Sequence, residues 1–93
     1  MDTHVRHAED QGRYELLLDG EVVGIADYWD TGSALVFPHT EVEAEHRGKG
    51  LGEILVQGAL EDVRAKGRTV VPRCWFVREF IETHPEFADL RAA

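Results

Sequence analysis

The segment Val42-Glu43-Ala44-Glu45-His46-Arg47-Gly48-Lys49-Gly50-Leu51-Gly52 combines residue types suited to binding an anion. Three glycines at alternating positions leave the backbone uncrowded just before a stretch of helical periodicity. The first N–H groups of a helix lack intrahelical acceptors and point outward at the positive end of its dipole. Such an end takes a phosphate or pyrophosphate. Arg47 and Lys49 add positive charge beside it. Two common phosphate loops do not fit. The dinucleotide pattern G-x-G-x-x-G would need glycine where Glu53 stands, and the Walker pattern needs Ser or Thr where Gly50 stands. The plain alternative is a glycine-rich connection that merely allows a tight turn.

Three further side chains could do chemistry. Cys74 is the one cysteine, and a lone cysteine is most often a small buried hydrophobe. It falls, however, where a strand should end and a helix begin, beside Arg73 and Arg78. Helix amides and guanidinium groups stabilise a thiolate. His39 and Glu41 are two apart on a predicted strand, so they share a face. Either could deprotonate an ammonium group. Imidazole is the better matched to neutral pH, although a surface or hydrogen-bonded histidine explains His39 equally well. His4, His7, His46 and His84 show no metal-ligand spacing with Cys74, so no metal is assigned. Trp29 and Trp75 read as core residues rather than stacking platforms.

These residues need elements to position them. Thr3 to Asp10 suits a short edge strand. Arg13 to Asp19 and Glu21 to Trp29 read as two strands joined at Asp19-Gly20, a strong two-residue hairpin signal. Ala34 to Val42 is a third long strand. Pro38 inside it cannot donate to a ladder, so an edge or bulge is expected there. The period then changes to 3.6. Leu51, Leu55, Ala59 and Val63 line one face of a helix from Leu51 to Ala65, stopped at Gly67. Gly58 within it points to close approach to the sheet. Thr69 to Pro72 is a short buried strand, and Trp75 to Glu82 a second helix. Thr83-His84-Pro85-Glu86 has the spacing of a capping box opening a last turn. The order implies an α+β domain with a mostly antiparallel mixed sheet and two main helices. The helical crossover puts one parallel pair in that sheet.

The chain has 93 residues, which allows one domain over 1–93. One cysteine excludes an intrachain disulfide and a Cys-rich zinc site. The N-terminal residues lack the apolar centre of a signal peptide, and apolar runs are far below the ~20 residues that span a bilayer. A cytoplasmic protein with no membrane association is expected. The net charge of −8 argues against a nucleic acid partner. The charge is uneven. Residues 1–46 carry 2 basic and 11 acidic side chains, and residues 47–93 carry 8 and 7. Either these are solvated faces, or a small anion binds the second half and a cationic partner the first.

Arg47-Gly48-Lys49-Gly50-Leu51-Gly52, with Val42 five residues before it, closely resembles the acetyl-CoA motif of the GNAT acetyltransferase superfamily, Arg/Gln-x-x-Gly-x-Gly/Ala. His39-Thr40-Glu41-Val42 and Pro72-Arg73-Cys74 resemble segments of the short stand-alone GNAT-like proteins, and the likeness covers about residues 13–85. The resemblance implies a minimal GNAT-like fold and acetyl transfer from acetyl-CoA (coenzyme A) to an amine. Amides of Arg47, Gly48, Lys49, Gly50, Leu51 and Gly52 would hold the pyrophosphate. The bulged strand near Thr40 to Val42 would pair with the pantetheine arm. The thioester would lie between that strand and Thr69–Pro72. Cys74 would sit near it, to accept the acetyl group or to protonate the CoA sulfur. The chain departs from larger members in two ways. Helices after the first strand are absent, and no tyrosine follows Tyr28 to protonate the departing thiolate.

The expected acceptor is a small-molecule or peptide amine, and the expected state a monomer or weak homodimer. Two other classes of function compete: a CoA-binding or protein-interaction module without turnover, and a structural domain with a tight glycine loop.

Overall fold

The structure is a computed structural model, and it describes residues 2–92; the two ends of the expected domain, Met1 and Ala93, lie outside the described residues. Five strands form one sheet in sequence order: β1 (Thr3–Ala8), β2 (Arg13–Leu18), β3 (Glu21–Asp30), β4 (Leu35–Val42) and β5 (Val70–Pro72). The first four pair antiparallel, and β4 pairs with β5 in parallel. Helix α1 (Leu51–Ala65) makes the crossover, and α2 (Trp75–Thr83) follows β5. The α+β class, the two helices and the single parallel pair are those the hydrophobic periods imply.

Local chemistry accounts for the connections. Asp19 and Gly20 both take positive φ, 50° and 88°, which suits the two-residue turn between β2 and β3. At the end of α1, Gly67 is left-handed. Its N–H reaches the Arg64 carbonyl, and the Arg68 N–H reaches that of Val63, both at 3.0 Å. This double bond satisfies carbonyls that the helix end would leave bare.

Helix α1 lays Leu51, Leu55, Val56, Ala59, Leu60 and Val63 on the sheet, against Tyr14, Leu16, Ala26 and Phe37, and α2 adds Val77, Phe80 and Ile81. Gly58 allows the close approach: a Cβ there would lie 2.6 Å from a Val5 methyl on β1.

Two expectations change. Thr83 closes α2 instead of capping the next turn. Its hydroxyl donates back to the carbonyls of Glu79 and Phe80, and Pro85 starts the final 3-10 turn, Pro85–Leu90. The i−4 carbonyl was closer at hand than an N–H beyond a proline. Trp29 and Trp75 are not core residues: they are 49% and 63% exposed. Trp75 lies on the helix side opposite the buried Val77 and Ile81.

A polar cluster ties β1 to α1. Tyr14 donates to Asp62 at 2.6 Å, and Lys66 donates to His7 Nδ1 at 2.8 Å. An ammonium cannot accept, so Nδ1 is the unprotonated ring nitrogen and Nε2–H donates to Tyr28 at 2.6 Å. The ring stacks on Tyr14 with centroids 4.3 Å apart. Burial, then the Lys66 ammonium, hold the His7 pKa below the ordinary imidazole value of 6.5, against the opposing pull of Asp62 and Glu9. The folded chain therefore takes up the His7 proton later than the unfolded chain does. Stability is fully present above the unfolded value and falls as the pH drops through it toward the folded one. Denaturant midpoints measured from pH 8 to pH 5.5 should show this loss, and His7→Gln should flatten it. The paired carboxylate Glu15, held below 4.5 by its bonds to Arg6 and then Arg13, acts only at lower pH.

Candidate active site

The site begins at a defect in the sheet. His39 pairs with Asp27 and Val36 with Trp29, so Tyr28 on β3 faces two residues of β4, Phe37 and Pro38. This is the bulge expected at a proline that cannot donate. Pairing between β4 and β5 ends at the same place, at Phe37 and Pro72. There the Cys74 N–H donates to the Phe37 carbonyl at 2.8 Å, and the chain turns away into α2. Beyond the bulge β4 and β5 diverge.

A cleft of about 810 Å3 opens in this gap. Pro38, His39, Thr40 and Val42 line one side, Arg73, Cys74, Trp75 and Phe76 another, and the segment from His46 to Glu53 closes one end, with Lys49 outside the lining. Thr40 and Val42 pair across with Ala26 and Gly24, on the sheet face that carries α1. Cys74 is nearly buried, with Sγ 3.7 Å from the Thr40 hydroxyl. Strand alternation sends His39 and Glu41 to the opposite face. There they bond to each other, Nε2 to Oε1, at 3.0 Å, both more than half exposed. Glu41 does not line the cleft; His39 lies on its rim.

The glycine loop has the geometry of an anion site. Gly48 and Gly50 take φ of 80° and 75°, a region costly for side chains, and Gly50 caps α1. The first intrahelical bond is from the Ile54 N–H to the Gly50 carbonyl, and among the described residues the N–H groups of Gly48 through Glu53 have no protein acceptor. Six consecutive amides are thus available at the positive end of a fifteen-residue helix. The Arg47 N–H is not among them, since it donates to the Ala44 carbonyl at 3.3 Å. Its guanidinium turns back, and Nε donates to the Val42 carbonyl at 2.9 Å. Arg47 therefore ties the loop to the end of β4.

Gly52 serves packing as well. A Cβ there would come 2.9 Å from the Phe76 ring, so the glycine lets α2 approach the start of α1. Phe76 thereby forms a wall of the cleft, a place that helical periodicity in the chain does not reveal.

The six cations in the stretch from Arg47 to Arg73 do not act as one patch. Arg64 pairs with Asp89, Lys66 with Asp62, and Arg68 with Asp30. Arg47 and Arg73 are the cations of the stretch that line the cleft. Glu43, Glu45 and His46 bring possible ligand atoms within 4.8 Å of one another, at the surface of the 3-10 turn before the loop. Sequence spacing had not grouped them.

The sheet, its bulge and the loop form one arrangement, and comparison with known proteins gives the family. The family described as GCN5-related N-acetyl-transferase matches residues 13–90, and the chain belongs to it. Acetyl transfer is the activity of that family. Among solved structures the chain is similar to a GCN5-like N-acetyltransferase candidate of Staphylococcus aureus, with TM-score 0.71, 16% identity, 97% of this chain and 88% of that one covered. It is also similar to a ribosomal-protein-alanine N-acetyltransferase of Brucella melitensis biovar Abortus 2308, with TM-score 0.58 and 23% identity over 87% of this chain. The likeness spans 62% of that longer protein. Both identities are low, so these likenesses bear on the fold. No curated protein matches the chain. Among the described residues no helix is long and apolar enough to cross a membrane.

Proposed function

We propose that this acetyltransferase takes its acetyl group from acetyl-CoA and passes it to a small-molecule or peptide amine. The observation that carries the reading is the row of six unpaired amides, Gly48 to Glu53, opening into a cleft that ends at Thr40 and Cys74. In this reading the amides hold the pyrophosphate, with Lys49 adding charge from outside. Arg47 holds the loop in place. The pantetheine arm adds to the β4 edge that β5 leaves unpaired past Phe37, beside Thr40 and Val42. Its thioester then meets the Cys74 thiol. His39, on the rim and bonded to Glu41, takes the proton from an ammonium arriving through the gap between the strands. Cys74 either receives the acetyl group or returns a proton to the CoA sulfur. The protein would work in the cytoplasm, as a monomer or weak homodimer.

Release of free CoA with a library of amines tests the reading. One or more amines should drive release above the rate of hydrolysis, and His39→Ala should lower it, least at high pH where more amine is already neutral. Binding of CoA with no amine driving release would instead leave a CoA-binding module.

A further inference from the structure

Among the described residues Trp75 is the most exposed large apolar side chain, at 63%. Exposing so much aromatic surface forgoes burial, and single exposed aromatics at a cleft commonly meet a flat ligand group. Trp75 lines the same cleft as Gly48, Gly50, Gly52 and Glu53. Its ring meets Phe76 edge-on, with centroids 5.8 Å apart and an interplanar angle of 84°, and Phe76 is seated against Gly52 at the start of α1. The indole therefore lies one ring away from the start of α1, where the unpaired amides are. Trp29, the other tryptophan, has no part in the cleft.

We infer that Trp75 is a stacking platform for the purine ring of the donor nucleotide. The inference rests on the CoA reading above and adds to it a subsite for the adenine end. Every purine has a π-face, so such a platform gains affinity without hydrogen-bond readout. A phosphate ligand at Gly48–Glu53 carries its thiol arm toward Thr40 and Cys74. The purine hangs from the other end of the pyrophosphate, and Trp75 offers it an exposed flat face in the same cleft.

The test compares CoA with 4′-phosphopantetheine, which has the arm and one phosphate but no purine. Calorimetric titration should show Trp75→Ala weakening CoA about tenfold, the usual scale for one stacked base, with phosphopantetheine unchanged. Trp75→Phe should keep most of the affinity. In a Trp29→Phe variant, where Trp75 is the one indole left, CoA should quench the fluorescence and phosphopantetheine should not. Equal weakening of both ligands by Trp75→Ala would overturn the inference, because the ring would then cover the arm. Unchanged CoA binding would overturn it as well. In either case the donor reading stands. If the wild-type protein binds neither ligand, the donor reading falls and the platform with it. Trp75 is exposed at the first residue of α2, so these variants should fold.

Discussion

Saturating CoA should raise the melting temperature by roughly 10–20 °C. At a hundredfold excess over the dissociation constant, linkage adds about 2.7 kcal/mol to stability. In a domain of this size each kcal/mol moves the midpoint by about 4–8 °C. The gain is lost in variants of the loop, for separable reasons. Gly50 holds φ at +75° with open space around its missing Cβ. Gly50→Val should therefore cost the free protein only backbone strain, about 1–2 kcal/mol. It should nearly abolish the CoA-induced shift, because the new branches fill the space before the amides. Arg47→Ala should weaken binding less, since Arg47 holds the loop through the Val42 carbonyl. Raising salt should weaken binding only mildly, because amides carry no counterions to release. Thermal melts of the three proteins, with and without CoA, check this. A wild-type melting curve that saturating CoA does not move would remove the donor assignment.

Incubation with acetyl-CoA should leave one acetyl group on Cys74. In that step the thiolate attacks the thioester carbonyl, a new S–C bond forms, and the CoA thiolate departs and takes up a proton. The thiol is nearly buried, yet it lines the cleft within 3.7 Å of the Thr40 hydroxyl, at the residue that caps α2. The thiolate is the nucleophilic form of a cysteine. Intact-mass spectrometry should show a single adduct, released by hydroxylamine and absent from Cys74→Ala. Cys74→Ser should retain CoA binding, because the amides proposed to hold the phosphates are on another element. Adduct formation as fast as turnover makes Cys74 an acyl carrier. Turnover that falls in Cys74→Ala with no adduct seen makes it the acid for the CoA sulfur. Resistance of the native thiol to alkylation, with only stability lost in Cys74→Ala, would reduce it to a packed core side chain.

Much of the fold was legible in the chain because its signals are local. Alternation marked the strands, the switch to 3.6 at Leu51 marked α1, and Asp19-Gly20, Gly67 and Pro38 marked two turns and a bulge through backbone chemistry that each residue carries with it. The row of unpaired amides was legible for the same reason: glycine spacing before a helix already dictates it. Local spacing misled where two partners competed. Thr83 found the carbonyls behind it before any amide ahead. Hydrophobicity alone put Trp29 and Trp75 inside, although Trp29 stands near the end of β3 and Trp75 at the first residue of α2, both largely exposed. What tertiary structure alone decided is which groups share a space. Thr40 meets Cys74 across 34 positions of sequence because β4 and β5 part at the bulge. His39 and Glu41 face away from that thiol because strand pairing with Asp27 and Ile25 fixes the register. Arg64, Lys66 and Arg68 are consumed by distant or neighbouring carboxylates, while Arg73 is left to the cleft. Charge and chemical type are properties of a residue, but a site is a set of distances, and those are set only when the sheet and helices pack.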